Sequence, residues 1–474
     1  MKNRGNILIT TLVFGAIATY LLAAITNWAV LNMKVSRLTV NREQALEIAE
    51  AGTDYYRWHL AHNSTDYKDG STSPTGPYVH QYYDKDGNLL GTYSLTITPP
   101  ITGSTLITIQ STGKVNNDNS SARTIITKLA IPSLAQYAVV ANDDMRFGAG
   151  TEVFGPISSN GGIQFDGIAH NIVSSAKSTY TDPDTGNLSY GVHTLTSPAD
   201  PAPPGTLTSH ADVFMAGRSF PIAAVDFAGI TTSLAQIKTD ASTSTGRYFA
   251  NSGGLGYHII LKTNDTFDLY KVNTMASASG GCSNSLSQTG WGTWSIKSGG
   301  SGETFIANYA FPANGLIFVE DNLWVEGQIN SARLTIAAGT FPDNVNTRKS
   351  ITVNNNLLYT NFDGTDSIAL IAQNNINVGM VSADTLTIDG ALMAQNGRAG
   401  RYYYSSSCFP YDSRTTLNLY GMIGSNQRYG FAYSDNTGYN TRNITYDGNL
   451  LYAPPPSFPL SSSQYQTISW KELK

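Results

Sequence analysis

Charged side chains are scarce in this chain: they make up 13% of its 474 residues and leave a formal net charge of −5. A nucleic-acid-binding protein would instead present a basic face, so we expect no nucleic-acid partner. Long helical patterns are also scarce after residue 62, whereas glycine (44 residues) and tyrosine (27 residues) are abundant. This balance is typical of a mainly β, extracytoplasmic protein, and the length allows two or more domains.

Cysteine is limited to two residues, Cys282 and Cys408. Neither belongs to a Cys-x-x-Cys motif or a cysteine–histidine cluster, which argues against a structural zinc site. In an exported protein the two cysteines form either a disulfide or two separate thiols. Both alternatives stay open, because the sequence does not give the distance between them.

Catalytic signatures are lacking as well. There is no Gly-x-Ser-x-Gly motif, and the seven histidines are scattered. A glycosidase needs two carboxylates a few ångströms apart, for which Asp143-Asp144 is the nearest candidate. A polysaccharide lyase needs a calcium cluster beside a basic residue, for which residues 182–186 are the nearest match. Both segments are better explained as turns. The sequence therefore predicts no enzyme, no cofactor and no metal site.

The N-terminus is the most informative part of the chain. Lys2 and Arg4 precede an uncharged, mostly apolar stretch from Gly5 to Met33. That stretch is long enough to cross a bilayer as one helix. A secretory signal peptide is the alternative, but the helical pattern continues beyond the apolar stretch, which favours a retained anchor.

A stripe of small and apolar residues follows the anchor at spacings of three and four. The spacing predicts one continuous helix that leaves the membrane and extends to about residue 62. Small side chains allow another backbone to come close, and we expect the small sheet that follows, from residue 63 to about 132, to cover the apolar part of the stripe at residues 46–60. The members of the whole stripe are Val35, Leu38, Arg42, Ala45, Ala49, Gly52, Tyr56 and His59.

Two motifs in this region resemble known pilus proteins. Arg4-Gly5 before the apolar stretch is similar to a type IV prepilin leader, which implies cleavage between Gly5 and Asn6. Residues 42–52 resemble the R-x-x-A-x-x-A-A-E-A-G segment of PilX-type pilus assembly proteins, most clearly at Ala49, Glu50, Ala51 and Gly52. The resemblance implies that residues 6–60 pack with other pilin-like helices. The position of the glutamate of major pilins is Thr10, which favours a minor, tip-like subunit.

Five segments are predicted along the chain: a transmembrane segment (1–33), a stalk helix (34–62), a small antiparallel β domain (63–135), a large body (136–456) and a C-terminal tail (457–474). In the small domain, Asp86-Gly87 marks a hairpin turn. The body contains short apolar segments between Gly, Asn and Asp, a pattern that favours an irregular β-solenoid over a β-sandwich. Residues 176–310 interrupt this pattern as an α+β insertion, with a short helix beginning within 230–233 and a hairpin of residues 256–261 and 266–272.

Aromatic residues surround both cysteines. We expect them to be exposed, where they would either bind a sugar or protein partner or seal one end of the solenoid. They are Trp291 and Trp294 near Cys282, and Tyr402, Tyr403, Tyr404, Phe409 and Tyr411 around Cys408.

The sequence thus predicts a pilin-like structural subunit, anchored in the bilayer with its N-terminus cytoplasmic and its bulk at the cell surface, that presents a β head for assembly or adhesion. A surface glycan or a protein receptor is the expected partner, besides other pilin-like subunits. Two alternatives stay open: a membrane-anchored adhesin outside any filament, and an anchored polysaccharide-active enzyme.

Overall fold

The computed structural model describes residues 4–73, 75–101, 104–116, 118–227, 229–278, 280–461 and 464–473. The helices and strands, in chain order, are α1 (Arg4–His62), β1 (Tyr78–Tyr83), β2 (Leu89–Thr98), β3 (Ile107–Val115), β4 (Asp118–Ala130), β5 (Val139–Ala141), β6 (Met145–Phe147), β7 (Thr151–Phe154), β8 (Ile157–Ser159), β9 (Ile163–Phe165), β10 (Ile168–Ala169), β11 (Val173–Ser175), β12 (Thr179–Thr181), β13 (Leu188–Tyr190), β14 (Val192–His193), β15 (Arg218–Ser219), α2 (Gly229–Ala241), β16 (Arg247–Phe249), β17 (Gly256–Lys262), β18 (Thr266–Val272), β19 (Glu303–Ala310), β20 (Leu316–Val319), β21 (Leu323–Gln328), β22 (Arg333–Ala338), β23 (Ile351–Leu358), β24 (Ser367–Ala372), β25 (Ile376–Val378), β26 (Thr385–Ala394), β27 (Ala399–Arg401), β28 (Ser413–Ser425), β29 (Gly438–Tyr446), α3 (Asn449–Tyr452) and β30 (Gln466–Leu473).

The chain divides into two compact units, and the first consists of residues 1–100, 106–130 and 464–474. Its long helix α1 is predicted by the absence of turn residues between the anchor and Gly52. Beside the helix lies an antiparallel sheet of order β1-β2-β3-β4-β30. The C-terminal half of α1 covers this sheet, and together they enclose a small apolar core of Ile48, Tyr56, Leu60, Tyr93, Leu95, Ile107, Ile109 and Leu129.

The fifth strand of that sheet comes from the far end of the chain. The sequence pattern predicts a tail over residues 457–474, whereas Gln466–Leu473 forms β30 and pairs antiparallel with β4. Arg123 on β4 and Glu472 on β30 form an ion pair across the two strands. The alternation of polar and apolar residues in this segment is weak, which explains why the pattern alone does not predict a strand.

The second unit, residues 101–105 and 131–463, is built on parallel pairing. One ladder runs through ten strands in the order β16-β20-β22-β24-β26-β28-β5-β8-β11-β15. Partner residues in successive strands form a fully buried apolar column of Ile317, Ile336, Leu370, Leu392, Ile423, Val139, Ile157 and Val173. Stacked parallel strands of this kind are the pairing that a β-solenoid requires.

The opposite face of this ladder is also buried, because α2, α3 and the segment after α3 cover it. Phe318, Ala337, Ile371 and Met393 lie there with Leu234 and Ile237 of α2, and with Leu450 and Phe458. Strands covered on both faces are apolar throughout, which accounts for the short continuous apolar segments in the sequence.

The order of the ladder does not follow the order of the chain. The first strands of the body, β5 and β7, pair with its last strands, β28 and β29. At this closure the side chains of Asn426, Asn142 and Asn160 form a hydrogen-bonded row, with Asn426 and Asn142 separated by 284 residues in sequence.

The predicted helix and hairpin of the 176–310 region are both present, as α2 and as the antiparallel pair β17–β18. Strand β16 is the first strand of the ladder and pairs in parallel with β20, and β17 pairs in parallel with β21. The predicted architecture of a long N-terminal helix, a small antiparallel sheet and a large β region is confirmed.

Candidate functional site

Three features of the two units are candidates for function, and the first is the surface of α1. From residue 7 to residue 40 every side chain is exposed. Large apolar side chains such as Leu12, Phe14 and Trp28 are each more than 60% exposed. An apolar surface of this length is unfavourable in water, and by length and composition the helix can cross a membrane.

Threonine hydroxyl groups in this exposed segment form hydrogen bonds with the helix itself. Thr11, Thr26 and Thr39 donate hydrogen bonds to the carbonyl oxygens four residues earlier, at 2.9, 2.7 and 3.0 Å. Polar groups that are paired inside a helix do not oppose its transfer into a bilayer. The predicted cleavage site between Gly5 and Asn6 falls at the start of α1, where the Asn6 side chain and the whole of residue Lys2 lie outside what the structure describes.

The second half of α1 carries the small-residue stripe, and this stripe faces the chain's own sheet. Ala45 and Ala49 are fully buried. A Cβ atom on Gly113 of β3 would lie 2.5 Å from the backbone nitrogen of Ala49, and closer still to the carbonyl oxygen of Ala45. A Cβ atom on Gly52 would lie 2.8 Å from the Tyr93 ring. Helix and strand therefore approach at backbone contact distance.

Within this chain, Ala45, Ala49 and Gly52 pack against its own small sheet, which leaves the helix of another subunit to pack on a different part of α1. At Ala45 and Ala49 the backbone that comes close is that of β3, because Gly113 removes the side chain that would otherwise hold the strand away; Gly52 instead admits the side chains of Ser111 and Tyr93. Of the other two motif residues, Glu50 is exposed and Ala51 is half-buried. The face left open on this half of the helix is charged, with Arg42, Glu43, Glu47, Glu50, Asp54 and Arg57 exposed.

The second feature is the surroundings of the cysteines. Cys282 and Cys408 are joined in a disulfide, and their Cα atoms are 4.5 Å apart. The expected exposure of the aromatic residues is wrong for most of them: Tyr402 and Tyr404 are buried, Trp291 and Trp294 are half-buried, and Phe409 is 75% exposed. The buried rings and Cys408 form one cluster with Met380.

Hydrogen bonds tie the segment around Cys282 to this cluster. Trp291 Nε1 donates to the carbonyl of Tyr403 at 2.9 Å, and the Tyr404 hydroxyl donates to the carbonyl of Gly292 at 2.8 Å. These rings are therefore held by structural contacts, so the surface is not a platform of free aromatic side chains. The serine-rich sequence around the cysteines suggested exposure, but it does not indicate which rings turn inward.

A buried arginine supports the same cluster, and no motif or spacing in the sequence marks it. Arg401 is fully buried; its guanidinium donates to the carbonyls of Met380 and Tyr411. Its carbon Cζ lies 4.6 Å from the centre of the Tyr404 ring. Desolvation lowers the pKa of Arg401 to about 10, so the side chain remains charged at neutral pH.

The third feature is a cleft of about 660 Å³ at the closure of the stack. The cleft is lined by Asp143 and Asp184. These residues come from the two acidic segments that are catalytic candidates in the sequence. Asp143 Oδ1 accepts from the backbone nitrogen of Asp144 at 2.8 Å, and its Oδ2 accepts from that of Arg428 at 3.2 Å. Asp184 Oδ2 accepts from Arg428 Nη2 at 2.5 Å.

The remaining acidic residues of these segments have structural contacts. Asp144 Oδ1 accepts from the backbone nitrogen of Gly162 at 2.6 Å, and burial raises the pKa of its carboxyl group. Asp182 is buried 3.3 Å from His193. Among the described residues there is no group of three or more histidine, cysteine, aspartate or glutamate side chains suited to a metal ion.

Comparisons with known proteins give little further guidance. No protein-family model matches the chain, and no curated protein sequence matches it. Among solved structures, the chain is similar to the crystal structure of the competence-associated pilin ComZ from Thermus thermophilus, with 12% identity, a TM-score of 0.32, and coverage of 91% of this chain and 98% of that one. A likeness at this level carries no argument about function.

Proposed function

We propose that the chain is a membrane-anchored, pilin-like structural subunit, a minor or tip-like component of a type IV pilus or a related pseudopilus. The observation that carries this proposal is the division of α1. Its first half exposes apolar side chains along residues 7–40, whereas its second half packs on a small antiparallel sheet. In a soluble protein, the exposed apolar surface of the first half would be unfavourable. A helix that served only as an anchor would not have to continue into the folded head and pack on its sheet.

In the proposed mechanism the first half of α1 lies in the bilayer before assembly. When the subunit joins a filament, this half packs beside other pilin-like helices. The small-residue face at Ala45 and Ala49 is already occupied by β3. Contacts between subunits on the second half must therefore use the opposite, charged face. That face carries both signs of charge, with Arg42 and Arg57 flanking the acidic Glu47 and Glu50, so opposite charges on neighbouring subunits would set their register.

The orientation follows from the basic residues before the anchor. Lys2 and Arg4 would lie on the cytoplasmic side by the positive-inside tendency, with the bulk of the chain at the cell surface. The disulfide between Cys282 and Cys408 agrees with this location, because disulfides persist in oxidising compartments.

The mass and N-terminal residue of the protein purified from its native membrane test this proposal. A mature chain that starts at Asn6 would support processing by a prepilin peptidase and assembly with other pilins. A chain that starts at Met1 would rule out the processed-pilin version and leave an anchored adhesin. A chain that starts after about residue 24 would show that the apolar stretch is a signal peptide.

We also propose that the protein is not an enzyme. The observation behind this part is that the Asp143 and Asp144 carboxylates accept backbone hydrogen bonds that hold turns. Incubation with a glycan panel, followed by chromatography of the products, would test it. Turnover that disappears in Asp143→Ala or Asp144→Ala, but persists in the control Asp363→Ala at an exposed loop, would contradict this and favour the polysaccharide-active alternative.

A further inference from the structure

The cleft at the closure of the stack combines residues from parts of the chain that are far apart in sequence. Its walls come from the turn after β5, the β12–β13 hairpin, the segment that carries Cys282, the turn before β27, and the stretch between β28 and β29. These parts meet only because β5 and β7 pair with β28 and β29. A volume of about 660 Å³ is within the range of small-molecule binding sites.

The charge of the lining is opposite to that of the chain. Four arginines and two aspartates line the cleft, Arg146, Arg398, Arg428, Arg442, Asp143 and Asp184, whereas the whole chain has a net charge of −5. Arg146 and Arg428 share the single carboxylate of Asp184, at 3.6 and 2.5 Å. Their side chains are 33% and 36% exposed, so both guanidinium groups remain accessible from the cleft.

The other two arginines are held by neutral oxygen atoms. Arg442 donates to the carbonyl of Ala149 at 2.6 Å and to the Thr151 hydroxyl at 3.0 Å. Arg398 donates to the carbonyl of Arg401 at 2.5 Å. Among the described residues no carboxylate forms an ion pair with either of them. Their positive charges are therefore not neutralised locally, and the cleft attracts anions.

The uncharged part of the lining suits a ligand with many hydroxyl groups. Gln427, Ser434, Asn436 and Asn440 are exposed there, and they supply both donors and acceptors. The half-buried Tyr433 has a fixed position, because its hydroxyl donates to the carbonyl of Arg401 at 2.9 Å. A fixed aromatic ring beside amide groups can pack against the apolar face of a sugar ring.

We propose that this cleft binds an acidic saccharide, with the sugar carboxylate paired to Arg146 and Arg428 and the sugar ring beside Tyr433. This ligand class adds to the proposed function, on which only the presentation of the head at the cell surface depends. A bidentate contact between guanidinium and carboxylate provides both affinity and orientation.

The test is titration calorimetry on the full-length protein in detergent. The probes are oligogalacturonate, a hyaluronate tetrasaccharide and sialyllactose, each with its methyl-esterified, neutral counterpart. We expect at least one acidic probe to bind and its ester to bind at least 10-fold more weakly. The double variant Arg146→Gln/Arg428→Gln should lose at least 10-fold in affinity, and Arg146→Lys/Arg428→Lys should retain part of it.

The matched control is Arg348→Gln, which removes another arginine–aspartate pair of the same unit, with Asp343, outside the cleft. Its affinity should equal that of the unmodified protein. Absence of binding to every acidic probe, equal binding of acids and esters, or full binding by the double glutamine variant would each overturn the proposal. If a protein that still begins at Met1 binds an acidic probe, the proposed saccharide site is supported and the proposed function as a processed pilin is ruled out.

Discussion

The contact between α1 and β3 is best tested by adding one methyl group to Gly113. The Cβ atom of Gly113→Ala would lie 2.5 Å from the nitrogen and 3.1 Å from the Cα atom of Ala49. Non-bonded heavy atoms rest at about 3.5–4.0 Å, so helix and strand would have to separate by about 1 Å. The atoms involved belong to the helix backbone, which cannot change rotamer to relieve the contact.

Overpacking of this kind costs about 1–3 kcal/mol. Because 1.4 kcal/mol corresponds to a factor of ten, amide hydrogen exchange in β3 and in residues 45–60 should become about 5- to 150-fold faster. Mass spectrometry of the full-length protein in detergent measures this by segment, and exchange in the large body should not change.

Gly300→Ala is the matched control, since no atom lies within 4 Å of the Cβ position at Gly300. It should leave exchange in both units unaltered. If Gly113→Ala also exchanged like the unmodified protein, β3 would not approach the helix at backbone contact distance. The stripe at Ala45 and Ala49 would then be free to pack with another subunit.

Three further predictions concern the disulfide, a buried acid and the anchor. Replacing Cys282 and Cys408 by serine removes a cross-link between residues 126 positions apart, so the free energy of unfolding should fall by about 2–5 kcal/mol; an unchanged melting temperature would contradict this. Burial raises the pKa of Asp389 to about 6, so its stabilising protonated form is lost as the pH rises through 6. Asp389→Asn, which can still accept the Tyr359 backbone hydrogen bond, should therefore stabilise the protein by up to about 3 kcal/mol at pH 8 and leave it unchanged near pH 3; equal stability at pH 8 would refute the argument. Deleting residues 1–33 should move the protein from the membrane pellet to the supernatant after ultracentrifugation, and retention in the pellet would show a second membrane contact.

Local patterns predict several elements of the fold, but not β30. The spacing of apolar residues predicts α1, and Asp86-Gly87 predicts the turn between β1 and β2, which pair as expected. The carboxylate of Asp84 holds this turn by accepting from the backbone nitrogens of Asp86 and Asn88, and Gly87 provides the positive φ of 84°. Each of these signals lies within a few residues of the structure that it specifies.

Partners distant in sequence could not be predicted in the same way. The stripe at Ala45, Ala49 and Gly52 indicates a face that admits a close backbone, but spacing does not say which backbone occupies it. The pairing of β5 with β28 joins Val139–Ala141 to Ile423–Ser425, and neither short segment carries a signal that specifies the other. The cleft depends on that pairing, so neither its arginines nor the meeting of Asp143 with Asp184 could be inferred from the sequence.

The pairing of β4 with β30 has a consequence for the order in which the protein matures. Arg123 and Glu472 meet across these strands although 349 residues separate them in sequence. During synthesis, one edge of β4 stays unpaired until the whole large unit has been synthesised, because β30 follows that unit in the chain. Open edges invite pairing with other chains, so a ribosome that stalls within the large unit would release a product prone to aggregation. The small sheet is therefore complete only after the large unit has been synthesised.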